Sequence, residues 1–174
     1  MGFKEFEIAV DYFHKAVEVK PDFTESYKNL GKIYKIMDKP SEAIEYYKKA
    51  FETNKKDISS INEVGLILKK YEKYDEAMSY FDKAISIYPN YVSYGNRGNN
   101  KAAMGDFDGA IKDLNIALTY NNKSAECFNN IGSAFNEKGL PSEALPYLNK
   151  AIELKHDYAD AYNNLGIANE FLKN

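Results

Sequence analysis

Glycine recurs along this chain at a fixed interval. Gly31, Gly65, Gly98, Gly132 and Gly166 stand 34, 33, 34 and 34 residues apart. A self-similar period of roughly 20–50 residues marks a stacked-repeat architecture, and it limits the possible folds more than composition does. Two alanine series keep the same interval: Ala9, Ala43, Ala77, Ala110 and Ala144, then Ala16, Ala50, Ala84, Ala117 and Ala151. Within each repeat the second alanine follows the first by seven residues, which is two turns of α-helix, so both lie on one face. Between them stands a large residue: Phe13, Tyr47, Phe81, Leu114 or Leu148.

Aligned on these markers, each repeat reads as two helices. The first helices are YKNLGKIYKI (27–36), INEVGLILKK (61–70), YGNRGNNKAA (94–103), FNNIGSAFNE (128–137) and YNNLGIANEF (162–171). Their apolar residues recur at helical spacing and form one stripe. The second helices are SEAIEYYKKAFE (41–52), DEAMSYFDKAIS (75–86), DGAIKDLNIALT (108–119) and SEALPYLNKAIE (142–153). Ser41, Asp75, Asp108 and Ser142 open them and are expected to cap their N-termini, with Pro40 and Pro141 just before the start. Gly105 and Gly139 mark turns between the helices, and Pro21 and Pro89 end second helices. Small residues let two helix backbones approach, and large residues from the neighbouring helix fill the space beside them. One such pair cannot bury its stripe alone, so it stacks on the next.

This pattern of aromatic, Leu-Gly, aromatic, Ala, aromatic, Ala and Pro resembles the tetratricopeptide repeat family over essentially the whole chain. The resemblance implies an all-α fold, a right-handed superhelical α-solenoid of antiparallel helix pairs whose first helices line a concave groove. It divides residues 1–174 into a single array. Residues 1–23 form a half-repeat (second helix), 24–57, 58–90, 91–124 and 125–158 are full repeats, and 159–174 form a half-repeat (first helix). Lys55, Asn122 and His156 replace the terminal proline, and Lys101 stands where other repeats have Tyr34, Leu68 or Phe135. The run from Gly95 to Asn99 makes the first helix of the third full repeat the one expected to be least stable, since glycine costs about 1 kcal/mol in a helix interior.

The resemblance also implies a function, the non-covalent binding of a protein or peptide segment in the concave groove. Its candidate lining residues are Lys28, Asn29, Lys32, Lys35, Asn62, Lys69, Asn96, Asn99, Asn129, Asn130, Asn163 and Asn164. An asparagine amide both donates and accepts, so a column of them can pair with a peptide backbone without demanding a particular side chain. In this the chain resembles the asparagine-ladder repeats of O-linked N-acetylglucosamine transferases. A second reading stands beside it, in which the asparagines bond helix to helix in any such array. Glu63 interrupts the column. The lysines of the first two full repeats are balanced by Glu126, Glu137, Asp160 and Glu170 further along, so a partner with an acidic segment is expected at the basic end. The clamp that holds the C-terminal carboxylate of heat-shock chaperones needs Lys and Asn at the fifth and ninth places of one repeat, Asn at the sixth of the next, and Lys and Arg at the second and sixth of a third. Lys28, Lys32, Glu63, Val92 and Asn96 stand there, one match in five, so that mode is not expected.

Other function classes find little support. The 174 residues are 44% hydrophobic and 28% charged, with a net charge of −3 and Arg97 as the one arginine. That lacks the basic footprint of a nucleic-acid binder. No stretch is apolar enough to enter a membrane, and no signal peptide is legible at the start. One cysteine, Cys127, permits no internal disulfide, and an intracellular, cytoplasmic setting is expected. Cys127 occupies a place held elsewhere by Ser26, Ser60, Ser93 and Ala161, which reads as packed rather than reactive. His14 and His156 lack metal-site spacing, so neither a metal, a cofactor nor an enzymatic activity is expected.

The half-repeats at the ends leave apolar faces without partners. Either the sequence is cut from a longer protein, for instance as the substrate-recruiting arm of an enzyme, or the ends dock head-to-tail. Docking would use Phe6 and Phe13 at one end and Tyr162 and Phe171 at the other, in a contact that need not close.

Overall fold

The computed structural model describes residues 3–173, which form ten α-helices and, among the described residues, no strand. The helices are α1 (Phe3–Val19), α2 (Thr24–Ile36), α3 (Pro40–Thr53), α4 (Ile58–Lys70), α5 (Tyr74–Ile87), α6 (Tyr91–Ala103), α7 (Phe107–Tyr120), α8 (Ala125–Glu137), α9 (Pro141–Leu154) and α10 (Ala159–Phe171). They fall into two compact units, divided between Tyr88 and Pro89. The first unit holds α1 to α5 and the second α6 to α10.

One contact recurs inside each helix pair. A Cβ on Gly31 would come within 2.9 Å of the Tyr47 ring, one on Gly65 within 2.5 Å of Phe81, one on Gly98 within 3.0 Å of Leu114 and one on Gly132 within 2.5 Å of Leu148. The glycine of each first helix is thus the seat of the large residue between the two alanines of the second. Those alanines are buried in every full pair, Ala43 and Ala50, Ala77 and Ala84, Ala110 and Ala117, Ala144 and Ala151. Gly166 on α10 has nothing within 4 Å of its Cβ direction.

The second helices start earlier than their Ser and Asp residues suggest. The residues before their first turns are Lys39, Lys73, Asp106 and Leu140, and of these Asp106 alone caps with its side chain, accepting from Gly109 N at 2.9 Å. Ser41, Asp75, Asp108 and Ser142 therefore lie inside the first turn and do not cap. Pro40 and Pro141 occupy the first helical position, where the missing N–H costs nothing. Two first helices do carry side-chain caps, from Asn90 to Val92 N and Ser93 N, and from Ser124 to Cys127 N. The turn inside each full pair needs a left-handed residue. Gly105 (φ 82°) and Gly139 (φ 71°) supply it without strain in the second unit, whereas Asp38 (φ 56°) and Glu72 (φ 60°) do so in the first.

The third full repeat departs from the others at three core places together. Arg97 replaces the aliphatic residues at Leu30, Val64 and Ile131, and Lys101 and Asp113 replace an apolar pair. In the first repeat that pair is Tyr34 on Tyr46, stacked at 5.3 Å, and in the fourth Phe135 on Tyr147 at 5.5 Å. Here Arg97 Nε and a terminal nitrogen donate to the two Asp113 oxygens at 2.7 Å each, and Lys101 Nζ lies 2.8 Å from Oδ2. Asp113 is 1% exposed. Burial pushes its carboxyl up, but the hydrogen bonds and charges of Arg97 and Lys101 outweigh burial and hold it below the ordinary value.

Two expectations for unfolding by denaturant rest on these contacts. Gly132→Ala is expected to cost about 1–3 kcal/mol through overpacking against Leu148, whereas Gly166→Ala, with open space, leaves stability unchanged or raises it by up to about 1 kcal/mol. Asp113→Asn leaves two half-buried cations without their carboxylate and is expected to cost about 3 kcal/mol. The triple variant Arg97→Leu, Lys101→Tyr and Asp113→Tyr, which copies the first repeat, recovers most of that loss. Because the folded pKa of Asp113 is depressed, its contribution is full above the unfolded carboxylate value of about 3.9 and disappears as pH falls through the folded value.

Candidate peptide-binding face

In the first unit the candidate residues lie on α2 and α4, and part of their charge is already matched. Lys35 Nζ is 2.5 Å from Glu63, which explains a glutamate where other repeats carry asparagine. Lys28 sits 3.6 Å from Glu25 and 3.9 Å from Asp57, both long for an ion pair. Lys70 and the Tyr71 hydroxyl both donate to Asp38, at 2.8 and 2.9 Å, and the lysine hydrogen bond, the stronger influence, holds that carboxyl below its usual value. Lys32 is exposed and makes no ion pair among the described residues. Asn29 and Lys32 line an apolar recess of about 320 Å³ with Phe6, Phe13, Ile33 and Ile36. Asn62 is 4% exposed and lies beneath this face rather than on it.

In the second unit the asparagines of α6, α8 and α10 form a connected chain. Asn164 Nδ2 donates to Asn129 Oδ1 at 2.9 Å, Asn129 Nδ2 to Asn130 Oδ1 at 3.2 Å, and Asn130 Nδ2 to Asn99 Oδ1 at 2.8 Å. Asn136 Nδ2 adds a bond to the Asn164 carbonyl oxygen at 2.9 Å. These side chains bond helix to helix and fix the register of three first helices. Asn129, 5% exposed, is withdrawn into that network. Asn96 and Asn163 stand outside it and make no hydrogen bond among the described residues. The Asn96 Nδ2 is itself buried. Asn96, Asn99 and Asn130 border a notch of about 190 Å³ between α6 and α8.

The end-face candidates are divided between the units. Phe6 and Phe13 are half-buried in the recess of the first, while Tyr162 and Phe171 are 51% and 58% exposed on α10 of the second. Cys127 is 6% exposed, and burial raises its thiol pKa. The Tyr46 hydroxyl lies 3.4 Å from His14 Nε2, and His156 is exposed in a turn. Among the described residues no three His, Cys, Asp or Glu side chains are grouped to hold a metal, and no helix is long and apolar enough to cross a membrane. Sequence reasoning missed the Arg97–Asp113–Lys101 group and the notch. The signal for the first was three departures in one repeat, one of which, Lys101, was visible as an anomaly.

The helix pairs, their glycine seats and their period decide the family. Tetratricopeptide repeat models match residues 24–57, 58–91 and 96–164, well over half of the chain between them. The chain belongs to the tetratricopeptide repeat family. No curated protein sequence matches it. Among solved structures, MamA is similar at 25% identity and TM-score 0.76, covering 90% of this chain and 92% of that one. YrrB, a TPR protein with an unusual peptide-binding site, is similar at 23% identity and TM-score 0.73, covering 93% and 84%. PilW, a widely conserved type IV pilus biogenesis factor, is similar at 21% identity and TM-score 0.77, covering 97% and 83%. The repeats make this TPR protein an interaction scaffold for protein or peptide partners.

Proposed function

We propose that this TPR protein binds an extended peptide segment of a partner along the face of its first helices, with no chemistry of its own. The observation that carries the reading is the division of labour among the asparagines. Asn99, Asn129, Asn130 and Asn164 are occupied in holding α6, α8 and α10 in register, while the exposed amide of Asn163 and the amide oxygen of Asn96 are unspent beside them. A rigid frame with unspent donors and acceptors is preorganised for a peptide backbone. The likeness to asparagine-ladder repeats belongs to this reading and rests on those two residues. YrrB, which shares the fold, has a peptide-binding site of its own. In the first unit the preference for an acidic segment rests on Lys28 and Lys32, because Lys35 and Lys70 are already paired. An intracellular setting suits a chain whose one cysteine is buried.

Affinity capture from a lysate of the source cell tests the face. Asn96→Ala with Asn163→Ala should lose the parent's partner while unfolding at the parent's temperature. The same partner on both proteins would move the site elsewhere. Lys28→Glu with Lys32→Glu should weaken an acidic partner by roughly tenfold, since exposed pairs contribute about 0.2–1 kcal/mol each and reversal also adds repulsion.

A second reading, head-to-tail self-association, has one observation in its favour. Every glycine seat precedes its large residue by 16 positions, as Gly132 precedes Leu148. Gly166 has an open seat, and Phe13 occupies the large-residue place in a half-repeat beside an apolar recess. The α10 helix of one copy could seat the Phe13 of another. Sedimentation at high concentration should then show a mass that grows with protein and falls in Phe6→Glu with Phe13→Glu. A constant monomer mass in the parent would rule this out.

A further inference from the structure

Gly95 is unlike the glycines that seat a large residue in the four full pairs. At Gly31, Gly65 and Gly132 a Cβ would strike the side chain of the neighbouring helix, and at Gly98 it would be tight against Leu114. At Gly95, in the body of α6, a Cβ would meet nothing within 4 Å. A helix-interior glycine weakens its helix through lost backbone entropy, and here no packing contact offsets that. The equivalent places hold Lys28, Asn62, Asn129 and Asn163. The missing side chain is what leaves the notch of about 190 Å³ open between α6 and α8. Such an opening is what the close approach of a ligand backbone needs.

The notch has a defined chemistry. Val92 and Tyr91, 39% and 45% exposed, give it an apolar rim. Asn96, whose amide oxygen makes no internal bond, and Asn99 and Asn130, whose oxygens each accept one bond and keep a second lone pair, give it acceptors. Glu126 supplies an exposed carboxylate that makes no ion pair or hydrogen bond among the described residues. The α6 cations Arg97 and Lys101 direct their charge at Asp113 instead. An apolar rim, amide oxygens and one unmatched carboxylate suit a long aliphatic side chain that ends in a cation.

We propose that the Gly95 notch is a specificity subsite that admits a lysine or arginine side chain of an extended peptide, with Glu126 as the counter-charge. The proposal rests on the peptide-binding reading above and adds the class of residue recognised in the second unit.

Selection of randomised twelve-residue peptides displayed on phage, carried out on the full chain, tests it. Selected peptides should carry lysine or arginine at one common position. Their affinity should fall at least tenfold on Gly95→Asn, which plugs the notch with the residue found at Asn129 and Asn163, while its unfolding temperature stays at or above the parent's. On Glu126→Gln the peptides should lose their advantage over versions with leucine at that position. Peptides that bind Gly95→Asn as well as the parent would overturn the subsite and leave the face reading intact. Enrichment of acidic or apolar residues that respond to Gly95→Asn would overturn the basic occupant. A selection that enriches nothing on the parent would overturn the subsite together with the face reading on which it rests.

Discussion

The seating of one large side chain on one glycine holds each helix pair together. Tyr47, Phe81, Leu114 and Leu148 rest where a Cβ would otherwise stand, and the alanines on either side bring the backbones close enough for the contact. The geometry has no slack, because interiors are packed as tightly as organic crystals. It also explains why the period is visible in the sequence at all. A position that tolerates a single residue type prints a regular mark, and four such seats make the repeat legible without any structure.

That contact produces a scaffold in which the core is uniform and the faces are free to differ. The first unit matches two lysines of this face internally, Lys35 to Glu63 and Lys70 to Asp38. The second ties its first helices together with asparagines and leaves Glu126 unmatched. Surface ion pairs of this kind add little stability. Their importance is selective, since each decides which partner charges meet an opposite charge and which meet none.

The fold was readable almost entirely from glycine, alanine and aromatic spacing, because those residues are set by contacts within the repeat. Helix starts were less so: Lys39, Lys73 and Leu140 occupy cap positions without capping, and a first-turn Ser or Asp resembles a cap in sequence. The candidate site was readable only as a set of places. Position within the repeat brought Asn62 and Asn96 forward equally, yet one is all but buried and the other borders an open notch. Hydrogen-bond partners separated them further. Asn129 and Asn163 are equivalent in the period, but Asn129 has a neighbouring first helix on each side and is bonded into the network, while Asn163 lies on the last helix and is not. Such differences come from neighbours one repeat away, which a pattern read along the chain does not weigh. The triad of Arg97, Lys101 and Asp113 was hidden for a related reason: each residue alone looks like a fault in the pattern, and only together do they cancel.

That triad bears on how the chain finds its own fold. A sequence made of look-alike modules is exposed to pairing between the wrong ones, the characteristic error of repeat proteins. Helix α6 carries two cations into its contact surface, and only α7 offers a carboxylate there. Against α3, α5 or α9, Arg97 and Lys101 would face Tyr46, Tyr80 or Tyr147 and would be buried without compensation. The converse holds for Asp113 opposite Tyr34, Leu68 or Phe135. The group thus works as a key cut for one lock: it labels the middle of an otherwise repetitive chain and penalises every mispaired alternative, whatever it adds to the native state.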